Sequence, residues 1–396
     1  MNMAKEHRIC IVTSTRADWG LLMPVARQLR RTPDISLSIV ATNMHLMEKY
    51  GMTVNEITDA GFTVDHRVVM EVDGDDEASR VAAMAKCLKG MGEAFAKLRP
   101  DAVLVLGDRY EMLAVASAAA VMLIPVIHIA GGEISEGAVD DAIRHAITKL
   151  SSLHLTATEP YRRRVIQMGE DPHRVINTGA IGVWNAFNTP LMSVEELQES
   201  IGMPLDHKKI AVVTYHPATC DNLLSPARRM SALLEALDSF PDLTCVITYP
   251  NNDARGSEII DLIEEYASRN PGRVRAVRSL GMVRYQSLLH IASVVVGNSS
   301  SGIVEAPSAG VPTVDIGIRQ RGRIAADSVI HCGDSASEIS AAIAAALSPH
   351  MQRVASRREN PYYRPDTLEL MTDAIVRFMD ELPLPPKKFH NLPADK

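Results

Sequence analysis

Residues Gly297 to Gly302, GNSSSG, put three serines between two glycines at the end of a β-branched run and ahead of a helical pattern that carries Glu305. Free N–H groups at a helix start, serine hydroxyls and a glycine that allows close backbone approach are the parts of a phosphate cradle. Ser299, Ser300, Ser301 and Gly302 are therefore candidates for holding a phosphorylated ligand, with Glu305 one turn inside the helix for ribose hydroxyls. An ordinary serine N-cap is the plainer reading of the same residues. A hydrolase elbow is disfavoured, because G-x-S-x-G would need glycine where Ser301 stands. A dinucleotide cofactor is disfavoured too, since no G-x-G-x-x-G follows the first strand.

Other polar residues emerge where apolar runs end. Arg16 in TSTRADWG suits an anion or a sugar hydroxyl, or is simply a surface arginine. Asp108 in VLVLGDRY is either an N-cap or a cleft carboxylate. His216 in TYHPAT, with Asn251 and Asp253 in YPNND, occupies the corresponding ends of the later strands. The stretch from His128 to His145, HIAGGEISEGAVDDAIRH, holds two histidines and four carboxylates. His128 falls on an apolar strand and reads as a core histidine. Asp140 and Asp141 open a helix, where the dipole favours acids, and pairing with Arg144 and His145 at i, i+4 is a further structural account. No HExxH or EF-hand spacing is present, so no metal is expected. Acid/base work by Asp140 or Glu133 stays open.

The elements that position these residues follow from hydrophobic periodicity. Apolar runs RICIVTST, SLSIVATN, DAVLVLGD, IPVIHIAG and LHLTAT alternate with helical patterns, and after a break near Trp184 to Pro204 the rhythm resumes. The second set is KIAVVTYH, LTCVITYP, VRAVRSL, ASVVVGNS and PTVDIG. The segments SPARRMSALLEALDSF and RGSEIIDLIEEYASRN carry apolar residues at i, i+3, i+4 and i+7, as crossover helices do. The expected fold is α/β, with two doubly wound parallel-sheet lobes and a ligand cleft at the carboxyl ends of their strands. The spacing divides the chain into residues 1–185, 186–365 and a final helix and tail, 366–396, with the segment from Phe187 to Lys209 read as a linker.

Composition narrows the partners. Forty-eight acidic against 41 basic residues are well mixed and form no basic footprint for nucleic acid. Five scattered cysteines suggest neither a disulfide framework nor a zinc knuckle, and with no signal-peptide pattern the expectation is a cytoplasmic protein. The apolar stretch 113–132 is broken by Pro125 into a helix and a buried strand, so no membrane span is expected.

Taken in order, TSTRADWG, GDRYE, HIAGGE with DDAIRHAITK, YHPAT, YPNNDARG and GNSSSGIVEAPSAGVP with IGIRQRGR resemble the hydrolysing UDP-N-acetylglucosamine 2-epimerases of sialic acid biosynthesis. The resemblance spans about residues 7 to 380. It implies a GT-B-like fold of two Rossmann-like lobes, with the last helix returning to the N-terminal lobe, and a homo-oligomer that uses no cofactor. The implied reaction turns UDP-N-acetylglucosamine and water into N-acetylmannosamine and UDP. Ser299 and Ser300 match diphosphate-binding serines, Glu305 a ribose-binding glutamate and Arg319 an arginine near the nucleotide. Arg16, Asp108, Asp140 and His216 match active-site positions. Ala130 stands where many relatives carry a catalytic glutamate, beside the family's GGE glutamate, here Glu133. That departure brings in a subgroup acting on a UDP-2,4-diacetamido-2,4,6-trideoxyhexose, on the way to legionaminic acid. A GT-B glycosyltransferase and a non-catalytic nucleotide-sugar sensor are the rival readings.

Overall fold

The computed structural model describes residues 6–205, 209–221 and 223–392. The β-branched runs become two parallel sheets, as residues buried on both faces require. The first holds β1 (His7–Thr13), β2 (Ile35–Thr42), β3 (His66–Val68), β4 (Ala102–Leu106), β5 (Val126–Ile129), β6 (Leu153–Thr156) and β7 (Val175–Asn177), in the order β3-β2-β1-β4-β5-β6-β7. The second holds β8 (Lys209–Thr214), β9 (Leu243–Thr248), β10 (Val274–Val277), β11 (Val294–Gly297), β12 (Thr313–Ile316) and β13 (Val329–Cys332), in the order β10-β9-β8-β11-β12-β13. Ten of these strands match the apolar runs. The three without such a run, β3, β7 and β13, are edge strands of three or four residues that are partly exposed. An edge strand has one hydrogen-bonded neighbour and partial burial, so its residues need not form an apolar run.

Each sheet reverses its winding once. In the first, the chain runs outward from β1 through β2 to β3 and then jumps back to pair β4 beside β1; in the second it jumps from β10 to pair β11 beside β8. The loops after β1 and β4, and after β8 and β11, therefore diverge and leave a crevice at each switch point. Arg16 and Asp108 flank the first crevice, His216 and Ser299 the second.

The segment 187–209, expected to be a linker, contains the helix Val194–Ile201, closed by a Ser193/Glu196 capping box and by Gly202 at φ +73. Leu197, Ile201, Met203 and Leu205 pack into the second lobe's core with Ile210 and Val212, so the segment belongs to that lobe; residues 206–208 lie outside the described residues. The terminal helix Thr367–Asp380 does the reverse. Its Leu368, Met371, Ile375 and Phe378 share one core with Ile9, Leu22 and Leu29 of the first lobe. Among the described residues no helix is long and apolar enough to cross a membrane.

Candidate functional site

The turn after β1 is built around Asp18. Its carboxylate accepts hydrogen bonds from the backbone N–H groups of Ser14 (2.8 Å) and Thr15 (2.7 Å) and from the hydroxyls of Thr13, Ser14 and Thr15. Thr15 in turn caps the helix Arg16–Arg31, which completes a capping box. Arg16 is thus delivered into the cleft as the first residue of a rigid helix start. Burial lowers its pKa to about 10, against the pull of the nearby Glu56 carboxylate, so the guanidinium stays charged.

Asp108 does not cap the helix Tyr110–Val121, whose N-cap position is Arg109. Its carboxylate is instead bound by the Arg144 guanidinium, which also donates to Ser135 Oγ (2.9 Å) and to the Glu133 carbonyl (2.9 Å). The i, i+4 pairing of Arg144 with Asp140 does not form: Arg144 reaches Asp108 and, one residue closer along the helix, Asp141 (3.2 Å). Burial alone would raise the Asp108 pKa, but Arg144, with Arg323 and Arg319 further off, outweighs it and holds the group below the usual carboxylate range. Asp140 moves the other way. Burial, then the charges of Asp108 and Asp253, push it up to about 7 despite Arg319 and Arg109. One cleft therefore holds two carboxylates whose environments drive their protonation in opposite directions.

The opposite wall hangs on Asn298. β11 ends at Gly297, φ +140, where a Cβ would stand 1.9 Å from the Thr214 carbonyl oxygen, so only glycine fits the turn. The next residue, Asn298, accepts the His216 N–H (2.7 Å) and donates to the His216 carbonyl (2.8 Å). Its own carbonyl accepts from Arg319 (3.0 Å) and Gln320 (2.9 Å). One buried residue, through its side chain and its carbonyl, thus ties the histidine loop, the serine turn and the arginine loop together. The His216 Nδ1 accepts the backbone N–H of Asn251 (3.1 Å), which puts the proton of the neutral ring on Nε2. Burial, reinforced by Arg319 and Arg109, holds the His216 pKa well below 6.5, so the ring is a neutral donor.

Ser299 takes the N-cap position of the helix Ser300–Val304 but makes no side-chain cap, which removes the plain N-cap reading. Its hydroxyl lies 3.3 Å from Ser301 Oγ, which contacts the Tyr285 hydroxyl at 2.5 Å. Glu305 is not one turn inside a continuous helix. It sits at the joint between Ser300–Val304 and the short Ala306–Ala309, a break reinforced by Pro307. Gln286 donates to Glu305 Oε2 at 2.7 Å, and burial raises the carboxyl to about 7.

Of the residues singled out in the sequence, Arg16, Asp108, Asp140, His216, Asn251, Ser299, Ser300, Ser301, Glu305 and Arg319 line one cleft. Two do not. Glu133 is buried away from the lining and its carboxylate is engaged by Arg323 at 2.7 Å, which is a structural use for it. Gly302 packs on β12, where a Cβ would stand 2.8 Å from Thr313 Cγ2, and it seats the helix against the sheet. Ala130, at φ +69, gives its N–H to Leu155, and its methyl packs against the first lobe's core, outside the lining. His128 is the core histidine expected, with Nε2 on the Gly107 carbonyl at 2.7 Å. Sequence reasoning passed over Tyr285 and Gln286, read Arg144 only as a helix partner of Asp140, and placed Asn298 at a strand end without its bridging contacts, because those contacts come from distant segments. Arg109 stands among the polar residues that follow a strand in the sequence, and Arg323, inside a quoted motif, was within reach of the same reasoning.

Similarity to known proteins agrees with this geometry. The family model described as UDP-N-acetylglucosamine 2-epimerase matches residues 27–376. A GDP/UDP-N,N'-diacetylbacillosamine 2-epimerase (hydrolyzing) of Campylobacter jejuni is 37% identical over 325 residues, 82% of this chain and 84% of that one. Polysialic acid biosynthesis protein P7 of Escherichia coli is 35% identical over 391 residues, 98% of both chains. The crystal structure of a Neisseria meningitidis UDP-GlcNAc 2-epimerase bound to UDP-GlcNAc shares the fold, with a TM-score of 0.76 at 18% identity over 93% of this chain and 100% of that one. Two doubly wound lobes facing each other across a cleft of this composition define a nucleotide-sugar enzyme of GT-B-like architecture. The chain belongs to the UDP-N-acetylglucosamine 2-epimerase family, as a hydrolysing UDP-sugar 2-epimerase.

Proposed function

We propose that the protein hydrolyses UDP-N-acetylglucosamine to N-acetylmannosamine and UDP, by anti-elimination to a glycal and hydration with inversion at C2. The observation that carries this reading is the pair Asp108 and Asp140, one held ionised and one biased toward its proton, facing the serine turn of the other lobe. Asp108, ionised, accepts the C2 proton. UDP departs as its growing charge meets donors already in place at Ser299, Ser300, Arg319 and the Nε2–H of His216. Asp140 delivers its proton to C2 of the glycal from the opposite face while water adds at C1 and loses its proton to solvent; Asp108 then releases the C2 proton to solvent and Asp140 takes one up, which restores the pair. Both sides of the ring are thereby served from the first lobe while the second holds the nucleotide.

The Campylobacter relative favours a second substrate, a UDP-2,4-diacetamido-2,4,6-trideoxyhexose, for the same chemistry. Incubation with each sugar nucleotide in deuterated water, followed by NMR, separates the readings. The expected product is the free C2-epimer carrying deuterium at C2, and the sugar turned over with the higher kcat/KM is the substrate. Binding without product, or product only when an acceptor is supplied, overturns the hydrolytic reading. In the same system Ser299→Ala and Glu305→Ala weaken UDP binding by about tenfold each, the scale of one lost hydrogen bond to a charged partner. Calorimetry checks this, and unchanged affinity removes the assigned cradle.

A further inference from the structure

The helix Asp140–Leu150 begins without a cap of its own. Its N-cap position is Val139, which has no side-chain acceptor, and position N3 is Ala142, which cannot supply the return half of a capping box. The Val139 N–H is bonded nevertheless, by Thr219 Oγ1 of the second lobe at 2.9 Å. The neighbouring residues are gripped in the same way. Cys220 N–H donates to the Gly137 carbonyl (3.2 Å), and Glu136 N–H donates to the Arg321 carbonyl (3.1 Å). Gly137 lies so close to the Ile318 carbonyl that a Cβ would meet that oxygen at 2.4 Å. The turn before Asp140 is thus clasped between two loops of the other lobe, one continuing from His216 and one carrying Arg319.

We propose that Thr219 is a positioning residue for Asp140: it caps, from the opposite lobe, the helix on which Asp140 is the first residue, so that the proton donor is assembled only when the lobes meet. The proposal rests on the reading that Asp140 acts in turnover, and it adds a link from the nucleotide-binding lobe to the acid. Asp108, Asp253, Arg319, Arg109 and Cys220 face Asp140 from the surrounding elements, and their distances depend on this turn staying seated. Releasing the turn admits water to Asp140 and returns it toward ordinary carboxylate behaviour. Because it must be protonated to act, activity is then lost at lower pH than in the parent enzyme.

Thr219→Val keeps the shape and removes the acceptor. The expected result is a kcat lower by about fivefold or more, an alkaline limb of the kcat–pH profile displaced to lower pH, and UDP affinity within about twofold of the parent. Thr219→Ser restores all three. Hydrogen exchange at the Val139 amide, followed in the UDP complex, is about fivefold faster in Thr219→Val. Parent-like exchange or a parent-like pH profile in Thr219→Val overturns the proposal, as does a serine variant no better than valine. Asp140→Asn run in parallel keeps the two ideas apart: full activity there sinks the role of Asp140 itself, whereas an inactive Asp140→Asn beside a normal Thr219→Val sinks only the cap.

Discussion

Asp140→Asn lowers kcat by at least about 100-fold while UDP affinity stays within about twofold, because general acid catalysis contributes on that scale and asparagine has no proton to transfer. The substitution is close to isosteric, so the clasped turn and the cleft survive it. Protein stability supplies an independent check through the sign of the Asp140 shift. Its pKa in the folded protein, about 7, lies above its ordinary value. The native state therefore holds the proton more tightly than the unfolded chain, and this contribution is full below the ordinary carboxylate range and lost as pH rises through about 7. Above that pH the wild-type protein carries an ionised, poorly solvated Asp140 that the asparagine variant lacks. Asp140→Asn consequently melts no lower than wild type at pH 8, and its activity loss cannot be attributed to unfolding. A thermal melt beside a kinetic assay decides the matter; substantial residual turnover, or a drop in Tm equal to the loss of activity, contradicts the assignment.

Arg144→Met has the second large effect, and it acts on stability and catalysis together. The Arg144 side chain is 1% exposed, and one guanidinium serves Asp108, Asp141, Ser135 and the Glu133 carbonyl. Removing one member of a fully buried pair costs roughly 3–5 kcal/mol. Here Asp108 and Asp141 each keep 27% of their side-chain exposure, so water screens part of the loss. The expected cost is accordingly smaller, about 2–3 kcal/mol by denaturant unfolding at neutral pH. Without the guanidinium, burial is opposed only by Arg323 and Arg319, and the Asp108 pKa rises. A base that must be ionised then fails at higher pH than before, so the acid limb of the kcat–pH profile moves up. The sign for stability agrees. A carboxylate depressed in the native state stabilises above the usual carboxylate range and loses that contribution as pH falls through its folded pKa, so the wild-type advantage shrinks in acid. Arg144→Lys keeps the charge but cannot serve four acceptors from one plane, and recovers only part of either property. An acid limb that does not move in Arg144→Met shows that Arg144 braces the helix without tuning Asp108.

These effects bear on what the chain discloses before it is folded. The central strands were legible because a strand buried on both faces must be apolar throughout, as in β4 and β11. The edge strands β3, β7 and β13 were not, since a short, partly exposed strand need not be apolar. The polar residues at strand ends were legible for a related reason: a buried run that stops abruptly at Gly107-Asp108 or Gly297-Asn298 emerges at the rim of a sheet, and the rim at a switch point is where ligands bind. Glu133 stayed open in the sequence because a carboxylate beside two glycines looks the same whether it faces a cleft or an arginine 190 residues later; in the fold it meets Arg323.

By itself, then, the sequence determined the two-lobed architecture, the cleft and ten of its lining residues, because hydrophobic period and chain order are local properties. Only the tertiary structure decided what those residues are in chemical terms. Asp108 and Asp140 are both aspartates at the start of helices, and they differ only through their surroundings. Arg144 lies on one carboxylate, and burial with like charge lies on the other. Protonation is set by the field at each group, and that field is summed over residues from both lobes that no local spacing brings together.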